Sequence, residues 1–329
     1  MTEHDLEKIA SFKYINKTCW IRLYWSSEIY SYGNLLREYA NYPNFLPLAI
    51  LSDHSGPNFN LLYTTDELSD ETEYYIGHNH YKNIYYNNKL STNRFKTVVS
   101  PFVYLRRKYN INYNSNSIGT IAFPVHSDLN VNRVDYFEGY LRDLKKLDKK
   151  FHPITICLHQ HDILNGNYRV LANKGFDIVT LGNSHDKFFA ERLYKLIINY
   201  KYITSNCPGT ITLFAIEMDF PFFIYGNANI KPPLIPKDQL KINPLFNKLN
   251  EILKLQNNEI SKISSELKLE VETMLGVHNS LSSKDLNRLL YKSLFFWIIK
   301  GKFIFWMYKR FKIYFINKRR ECKINCVTS

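Results

Sequence analysis

The fold class of this chain is decided by one continuous stretch, Tyr202-Ile-Thr-Ser-Asn-Cys-Pro-Gly-Thr-Ile-Thr-Leu-Phe-Ala-Ile-Glu-Met-Asp-Phe-Pro-Phe-Phe-Ile-Tyr-Gly226. Its first residues predict a short strand that ends at Thr204, and the Ser-Asn-Cys-Pro-Gly-Thr that follows is typical of a turn. The pattern then predicts a helix over Thr210–Met218 and a second apolar strand over Phe222–Tyr225. A strand, a turn, a helix and a strand in this order indicate an α/β protein.

The turn in this stretch has the composition of a phosphate-binding site. A helix N-terminus presents unpaired backbone N–H groups and the positive end of the helix dipole, and both attract anions. Gly209 lets a ligand approach the backbone closely, and Ser205 and Thr210 carry hydroxyls that can bind phosphate oxygens. We therefore predict that Ser205, Asn206, Gly209 and Thr210 bind the phosphate of a ligand.

The same stretch resembles the donor-site signature of GT-B glycosyltransferases, in which a small-residue turn, here Ser-Asn-x-x-Gly-Thr, grips the phosphate of a nucleotide sugar. In that family the helix ends in Gly-x-Pro, whereas Asp219-Phe220-Pro221 stands here. Asp tolerates the left-handed conformation better than most residues, so the turn can be kept. The resemblance covers roughly residues 17–226 and implies sugar transfer from a nucleotide donor. The alternative is an ordinary strand–turn–helix–strand unit of another α/β protein.

Composition excludes several classes of protein. The chain has 329 residues, 45% apolar and 16% aromatic, which excludes a disordered chain and is enough for two domains. Its five cysteines form no CxxC pair and no zinc-site spacing, so we expect reduced thiols. No P-loop, Rossmann glycine motif or Gly-x-Ser-x-Gly elbow occurs. Because no Asp-x-Asp motif occurs either, we expect no metal and no cofactor.

Strands and helices alternate along the chain. In the first half we predict strands at Cys19–Tyr24, Leu46–Leu51 and Thr97–Tyr104 and a helix at Gly33–Asn41, with no assignment over Tyr63–Asn93. After a polar linker, Asn110–Ser117, we predict strands at Thr120–Phe123, Ile154–His159 and Asp177–Leu181 and helices at Val134–Lys149, Gly166–Lys174 and Phe188–Tyr200. Beyond Pro236 we predict helices within Pro244–Gly276 and at Ser283–Tyr291. Such alternation with short loops indicates parallel, doubly wound sheets.

We therefore predict the fold class α/β, with two Rossmann-like domains in the GT-B architecture and a C-terminal helical, basic-aromatic tail. The predicted boundaries are 1–112 for an acceptor-side domain, 113–236 for a nucleotide-sugar-binding domain and 237–329 for a helical region that carries the tail. In doubly wound sheets, ligands bind beyond the carboxyl ends of the strands. The loops at His126, His161, Gly182 and Ser205 are expected to meet there.

Two of these loops contain histidines that are candidates for donor binding. His126 can donate to phosphate oxygens, and Ser127 beside it either assists or forms a helix N-cap. His161 shares a strand end with His159 and is followed by Asp162. Three interpretations of this loop are open: it lines the nucleotide pocket, it forms a metal site, or it is a polar surface. The metal interpretation lacks a third ligand at a suitable spacing.

The remaining donor-side candidates are a loop and a carboxylate. Gly182 and Asn183 follow the next strand, in a position that commonly cups a base or ribose; the alternative is a helix cap by Ser184 or Asp186. Glu217 lies about two turns after the phosphate turn. The resemblance implies a ribose-binding carboxylate near that point, and a surface helix residue is the alternative.

For catalysis, an inverting transfer needs a base that deprotonates the acceptor hydroxyl. Asp53 and His54 follow a predicted strand of the first domain. Neighbouring residues of an extended strand point to opposite faces, so the two do not form a dyad, and we choose His54 as the base. A turn capped by Asp53 is the alternative. Glu28, in the loop after the first predicted strand, is the second candidate for the base.

The positive charge is concentrated at the C-terminal end. From Leu289 to Ser329 the chain has ten Lys and Arg residues against Glu321 alone, out of a net charge of +13. The apolar runs there are far shorter than the ~20 residues that span a bilayer. We predict an interfacial helix whose membrane contacts are Trp297, Lys300, Lys302, Trp306, Lys309 and Arg310. Packing on the first domain and binding to nucleic acid are the alternatives.

As the resemblance implies, we predict a glycosyltransferase that moves a sugar from a nucleotide-sugar donor to a surface glycan, in lipopolysaccharide or capsule assembly. The expected partners are that donor, a glycan or glycolipid acceptor and an anionic membrane surface, without nucleic acid. The acidic N-terminus lacks the apolar core of a signal peptide. We therefore expect a peripheral protein on the cytoplasmic face of the inner membrane. A non-catalytic scaffold of the same architecture and a nucleic-acid-binding protein are the alternatives.

Overall fold

In the computed structural model the chain forms two parallel β-sheets surrounded by helices. The structure describes residues 1–19, 21–53, 72–127, 132, 134–226, 248–249, 251–302 and 304, with the backbone alone for 134–136. Strands β1–β8 are Leu51–Ser52, Tyr75–Gly77, Phe95–Thr97, Thr120–Phe123, Ile154–Leu158, Asp177–Thr180, Tyr202–Ser205 and Phe222–Ile224. Helices α1–α11 are Glu3–Ala10, Tyr32–Tyr39, His80–Lys89, Pro101–Lys108, Val134–Lys145, Gln160–Leu164, Tyr168–Ala172, Phe189–Ile197, Thr210–Glu217, Ser265–Met274 and Ser283–Ile299.

The second sheet contains the stretch that decided the fold class. Its strands lie in the order β6-β5-β4-β7-β8, and every neighbouring pair is parallel. This is the strand order of a Rossmann-type sheet, whose switch point lies between β4 and β7. All five strands and α9 begin and end within one residue of the predicted positions. The predicted fold class, α/β with two parallel sheets, is confirmed.

The first sheet is small, with strands of two or three residues in the order β1-β2-β3. The predicted strand Leu46–Leu51 keeps only Leu51. The predicted strand Thr97–Tyr104 is wrong beyond Thr97, because Pro101 begins α4. Proline is favoured at the first position of a helix, since its φ is preset there and its missing N–H would be unpaired anyway. Both β2 and α3 lie in the region that received no prediction.

The predicted first strand, Cys19–Tyr24, is also wrong: none of its described residues is in a strand. The thiol of Cys19 donates to the carbonyl of Phe45 (3.5 Å), and Arg22 donates to the carbonyl of His185 (3.2 Å). The segment therefore crosses loops of both halves of the molecule without joining a sheet. A hydrophobic pattern with a period of two does not reveal whether the apolar residues face a sheet or other loops.

Several predicted helices differ from the observed ones. α5 ends at Lys145 and not at Lys149, and α8 ends at Ile197 and not at Tyr200. The predicted helix Gly166–Lys174 begins only at Tyr168, and the last helix extends from Ser283 to Ile299. Within Pro244–Gly276 the chain is not helical from Leu253 to Ser264. There α10 begins after Ser264, whose hydroxyl accepts from the backbone N–H of Leu267 as an N-cap.

Helices between the two sheets share one apolar core. Phe102 of α4 stacks on Phe214 of α9 with ring centroids 4.6 Å apart. Tyr194 of α8 donates a 2.8 Å hydrogen bond to the carbonyl of Phe102. Burial of side chains of this size contributes roughly 1.5–3 kcal/mol each. The halves are therefore joined by packed side chains as well as by the chain itself.

Each end of the described chain packs on the sheet that is distant in sequence. The N-terminal helix α1 buries Leu6 and Ala10 in the core of the second sheet. The segment after α10 returns to the first sheet, where Leu275 accepts from the Ser100 N–H (2.8 Å) and Leu281 donates to the Thr97 carbonyl (2.9 Å). Sequence order alone therefore does not separate the residues of one sheet from those of the other.

The last described helix buries Trp297, which is only 7% exposed and lies by Ala49 and Thr72, next to the first sheet. The prediction that Trp297 contacts a membrane is wrong, and the alternative of packing within the chain holds for this residue. Lys300 pairs with Glu73 (2.8 Å), and Lys302 is half-buried. Trp306, Lys309 and Arg310 lie outside the described residues. None of the helices described is long and apolar enough to cross a bilayer.

Candidate functional site

The loops after β4 and β7 meet at the switch point of the second sheet. The Val125 N–H donates to Oδ1 of Asn206 (2.9 Å), and the Ser205 hydroxyl donates to the Phe123 carbonyl (2.7 Å). Both Ser205 and Asn206 are buried. These two predicted phosphate ligands therefore join the loops together, and Gly209 and Thr210 stand at the start of α9.

Gly209 is the N-cap of α9 and has open space beside it. Its φ of −157° is ordinary extended backbone, and a Cβ built there would meet nothing within 4 Å. Its N–H donates to the hydroxyl of Thr212 (2.9 Å), which shapes the first turn of the helix. The backbone at the helix N-terminus is thus accessible, as the phosphate-turn prediction requires. Glycine is useful there because it leaves space for a ligand, and not because the backbone needs a positive φ.

A row of three imidazoles lies across the neighbouring loops. The rings of His126 and His159 are stacked with centroids 4.1 Å apart, and His161 follows at 4.9 Å from His159. Because β4 lies between β5 and β7, these rings occupy the same edge of the sheet as the turn before α9. Neighbouring strands are about 4.8 Å apart, so the four loops of this edge span roughly 15 Å.

His159 was mentioned in the sequence only as the neighbour of His161, yet it has the most unusual environment. Its Nδ1 accepts from the His161 N–H (3.3 Å), so the neutral ring carries its proton on Nε2. Nε2 is buried and has no hydrogen-bond partner among the described residues. Burial, with smaller contributions from His126 and His161, holds the pKa of His159 well below its usual range. The ring is therefore a neutral donor without an acceptor.

Asp162 holds the loop after β4 in place. Its Oδ1 accepts from the Ser127 N–H (3.2 Å) and from Nδ2 of Asn167 (3.1 Å), and its Oδ2 has no partner in the described part of the chain. Ser127 lies seven residues before Val134, where α5 begins, so the helix-cap alternative for Ser127 is wrong. His126 donates from Nδ1 to the Ser127 carbonyl (2.6 Å) and is exposed.

The loop after β6 binds the N-terminal helix. Asn183 accepts the N–H of His185 (2.9 Å), and its own N–H and Nδ2 donate to the carbonyls of Ile9 (2.9 Å) and Ala10 (3.0 Å). A Cβ on Gly182, whose φ is +78°, would lie 2.7 Å from Cγ1 of Ile9. Gly182 and Asn183 therefore contact α1, and the space in which they were predicted to cup a nucleotide is filled by this chain.

Positive charge accompanies the imidazoles. Arg22 reaches the His185 carbonyl through Nη2, and its buried Nε has no described partner. Arg192 donates from Nε to the Leu181 carbonyl (2.6 Å) and pairs with Asp186 (3.3 Å). Guanidinium groups and a helix N-terminus at one sheet edge favour an anionic ligand.

Glu217 lies at the opposite end of α9 from the turn, about 10 Å along the helix axis. It is buried, accepts from Nε of Arg106 (2.6 Å) and also pairs with Arg107 (3.3 Å). The surface-residue alternative is wrong. As a donor-binding residue Glu217 is displaced from the other members of the site, because its carboxylate is bound by α4.

The predicted carboxylate bases are held in buried ion pairs. Both oxygens of Glu28 accept from Arg37, at 2.6 and 3.0 Å. Asp53, at the end of β1, binds Nζ of Lys82 at 3.2 Å and is 6% exposed. A general base must be able to accept a proton from the substrate, and here both carboxylates are buried and each is paired with a cation. His54 lies outside the described residues.

The carboxyl edge of the first sheet contains two histidines that the sequence analysis missed. His78 is buried and donates from Nδ1 to the Val98 carbonyl (2.9 Å). His80 begins α3, is half-buried, and its Nδ1 lies 3.0 Å from the Thr97 hydroxyl. The sequence signal that could have found them is Gly77-His-Asn-His80. It is a polar turn that follows an apolar pair and precedes a helix capped by Asn79, and the same pattern predicted the second sheet.

The two carboxyl edges are connected by the segment from Arg22 to Tyr32. At one end Arg22 binds the loop after β6, where the Tyr30 N–H also donates to the Ser184 carbonyl (2.5 Å). At the other end the Tyr32 ring contacts His78 edge-on at 5.2 Å. Tyr30 has a φ of +53°, which non-glycine residues adopt rarely and often at functional sites. The segment thus contacts His185 at the second edge and His78 at the first.

Within the described residues, no group of three or more His, Cys, Asp or Glu side chains has an arrangement that could hold a metal ion. The imidazole row has stacked and tilted rings, and no carboxylate completes it. The geometry suits hydrogen bonds to an anion better than metal coordination, since stacked rings do not direct their nitrogens at one point.

Comparison with known proteins gives only remote similarities. No model of a protein family matches the chain, and no curated protein matches it. Among solved structures, the wall teichoic acid polymerase TagF aligns at 12% identity and a TM-score of 0.38, over 76% of this chain and 68% of that one. HepE of Anabaena, solved with UDP and glucose, aligns at 8% identity and a TM-score of 0.32, over 80% of each chain. Similarity this low assigns neither a family nor an activity.

Proposed function

We propose that this protein is a glycosyltransferase that binds a nucleotide-sugar donor at the carboxyl edge of the second sheet. The observation that carries the proposal is the buried Nε2–H of His159, which has no partner among the described residues and belongs to the row beside the turn before α9. A phosphate oxygen is the acceptor that such a donor lacks. The open backbone at Gly209 and the positive end of α9 supply further attraction for the same anion.

The proposal assigns these positions the following roles in the reaction. A base takes the proton of an acceptor hydroxyl, whose oxygen attacks the anomeric carbon of the donor sugar. The bond between that carbon and the phosphate oxygen breaks, and its electron pair remains on the phosphate. Donors that already point at the phosphate stabilise the charge that develops there. His159 Nε2–H and the N–H groups at the start of α9 have that role in the proposal.

For the base we propose His80 as well as the original candidate, His54. Burial lowers the pKa of His80, so its imidazole is neutral at pH 7 and able to accept a proton. It lies at the carboxyl edge of the first sheet, and His78 beside it contacts the segment that leads to the second sheet. Glu28 and Asp53 are not retained as bases because Arg37 and Lys82 bind them.

The finer parts of the proposal concern the acceptor and the location. We propose a surface glycan or glycolipid as acceptor, as in lipopolysaccharide or capsule assembly, on the strength of the family resemblance alone. Among the described residues, Cys19 and Cys157 are free thiols. Reduced cysteines fit the cytoplasmic side of a membrane. No nucleic acid is expected among the partners.

The test is nucleotide binding, measured as the rise in melting temperature with CMP, UDP, GDP and TDP. We expect at least one of them to stabilise the protein. His159→Phe keeps an aromatic ring in the row but removes Nε2–H. It should lower the affinity for that nucleotide about 10- to 100-fold, which is the range for a hydrogen bond to a charged group. His278→Phe is the matched control and should bind normally, because His278 is an exposed histidine four residues after the end of α10, where it pairs with Glu272.

The result that contradicts the proposal is equal nucleotide affinity in His159→Phe and His278→Phe. The base is tested separately, since His80→Ala should retain nucleotide binding and lose turnover of the donor. A non-catalytic scaffold makes a different prediction: it tolerates both His159→Phe and His80→Ala in cells that need the glycan.

A further inference from the structure

The last described helix, α11, has two faces of different character. Its buried face, Leu286, Leu289, Leu290, Ser293 and Trp297, packs on the first half of the molecule. The opposite face is charged near the helix start, with Lys284 and Arg288, and becomes apolar after Tyr291. The helix is therefore fixed to the protein by one face, which sets the orientation of the other.

Three large apolar side chains form the exposed end of this helix. Phe295 is 60% exposed, Ile298 52% and Ile299 64%. With spacings of three and four residues they lie on one side of the helix, and Ile304 beyond its end is exposed as well. Single exposed apolar residues are normal on a protein surface, but a run of neighbours on one helix face indicates an interaction site.

Cations surround this apolar face. The segment 283–302 contains five of them, Lys284, Arg288, Lys292, Lys300 and Lys302, and one carboxylate, Asp285. Glu73 neutralises part of the charge through its ion pair with Lys300. An apolar face with basic residues beside it is the pattern of a helix that lies in the boundary of an anionic bilayer.

We propose that Phe295, Ile298 and Ile299 of α11 dock the protein on an anionic bilayer. The membrane-inserting residues are thus on the face opposite Trp297, which anchors the helix to the first sheet. A second copy of the chain would bring two faces of the same positive sign together, within a protein whose net charge is +13. That repulsion favours an anionic surface over self-association as the occupant.

The experiment is vesicle sedimentation with the full chain. The vesicles contain either phosphatidylcholine alone or phosphatidylcholine with 30% phosphatidylglycerol, a composition chosen to be on the order of a strongly anionic natural membrane. We expect binding to the anionic vesicles, weakened by high salt. The double variant Phe295→Glu/Ile299→Glu should need about tenfold more lipid or more for half-maximal binding, because it places two carboxylates against the headgroups.

Leu269→Glu is the matched control, because Leu269 is equally exposed (57%) on α10 and lies outside this face. It should bind vesicles like the original chain. Urea unfolding of all variants should agree, since every changed position is exposed. Equal vesicle binding by the double variant and the control overturns the proposal. Equal binding of the original chain to neutral and anionic vesicles also overturns it. A third contrary result is that the original chain is a dimer in light scattering, the double variant is a monomer, and neither of them binds lipid.

Discussion

The carboxyl edges of the two sheets contain similar residues in different environments. At the first edge, Asp53 and Lys82 form a buried ion pair, and the buried His78 donates from Nδ1 to a backbone carbonyl while its Nε2 has no partner among the described residues. At the second edge, His126 is exposed, Nε2 of His159 has no acceptor in the described part of the chain, and the backbone at Gly209 faces open space. Each edge therefore contains a buried imidazole nitrogen without a described partner. The second edge combines it with an accessible helix N-terminus, which favours an anion.

The same comparison separates structural carboxylates from functional ones. The sequence selected Glu28, Asp53 and Glu217 because carboxylates serve as bases and ribose ligands. In the structure each one binds a cation from another part of the chain: Arg37, Lys82 and Arg106. Their role is to compensate buried positive charge.

The first and largest expected effect tests this role for Glu28. Glu28→Ala leaves the guanidinium of Arg37, which is fully buried, without its counter-charge. Removing one partner of a buried pair costs on the order of 3–5 kcal/mol. We expect a loss of that size in the free energy of unfolding, measured by urea denaturation. A catalytic base would instead show normal stability and lost turnover.

The control for this variant is Glu191→Ala, which removes an exposed pair with Lys195 on α8. Exposed pairs at this spacing contribute about 0.3–0.5 kcal/mol. If Glu28→Ala unfolds at the same urea concentration as Glu191→Ala, the Arg37 pair is not what holds Glu28, and its assignment as a base returns.

The second prediction concerns acid. Burial lowers the pKa of His159 and of His78, so the unfolded chain binds protons on these rings more readily than the folded one. Stability is then present above the unfolded pKa of about 6.5 and is lost as the pH falls below it. The loss is at most about 1.4 kcal/mol per pH unit for each ring. We expect the urea concentration at the unfolding midpoint to decrease as the pH is lowered from 7 to 5.

The variants assign this loss to the two edges. His159→Phe should remove the share that comes from the second edge, where His126 and His161 face the ring. His78→Phe should remove the share from the first edge, where Asp53 and Lys82 are the charged neighbours. A bound nucleotide should add its own effect only at the second edge. Identical acid sensitivity in His159→Phe and the original chain would show that His159 is not kept neutral.

The sequence predicted the second sheet better than the first for a physical reason. Apolar runs of four or five residues between turn residues, as at Ile154–Leu158, are buried on both faces and need no information from elsewhere. The first sheet has strands of two or three residues, which carry too little pattern to be recognised. Its helix α4 begins at Pro101, whose preference for helix starts outweighed the β-branched and aromatic residues around it.

The sequence predicted which loops gather at one edge of the second sheet, but not the contacts of their side chains. Strand ends fix where loops gather, so His126, His161 and the turn at Gly209 were selected correctly as neighbours. The partners of a side chain come from distant parts of the sequence, and no local pattern contains them. Ile9 against Gly182 and Arg106 against Glu217 are separated by more than a hundred residues. His159 was passed over because its missing acceptor is visible only in three dimensions.

The third prediction compares the two glycines assigned to the donor site. Gly182→Ala places a Cβ against the side chain and carbonyl of Ile9 at a φ of +78°, and should cost about 1–2 kcal/mol or more. Gly209→Ala meets no atom within 4 Å at an ordinary φ and should unfold like the original chain. Urea midpoints of both variants decide this. A larger loss in Gly209→Ala than in Gly182→Ala contradicts the assignment of Gly182 to the docking of α1.

A valine at position 209 tests whether the space beside the α9 N-terminus is used for binding. Gly209→Val should remain folded and weaken nucleotide binding, because its branched side chain occupies the space beside the α9 N-terminus. Nucleotide affinity that stays unchanged in the folded Gly209→Val protein removes this turn from the site, whatever the outcome for His159.

The smallest expected effect is a difference in stability between two variants at the other end of α9. Asp219 follows this helix with a φ of +54°, the left-handed conformation that the sequence predicted for the residue in place of the family glycine. Non-glycine residues lose roughly 1–2 kcal/mol in that conformation, and Asp loses less than most. Asp219→Gly also removes an ion pair with Lys268, which is exposed on the Asp219 side and contributes up to about 1 kcal/mol. Asp219→Ala removes the same ion pair but keeps a side chain at positive φ, so it serves as the control. We expect Asp219→Gly to be the more stable of the two by about 1 kcal/mol in urea unfolding. Equal stability would mean that the helix end has shifted to relieve the strain, and that the turn before β8 does not require the left-handed residue.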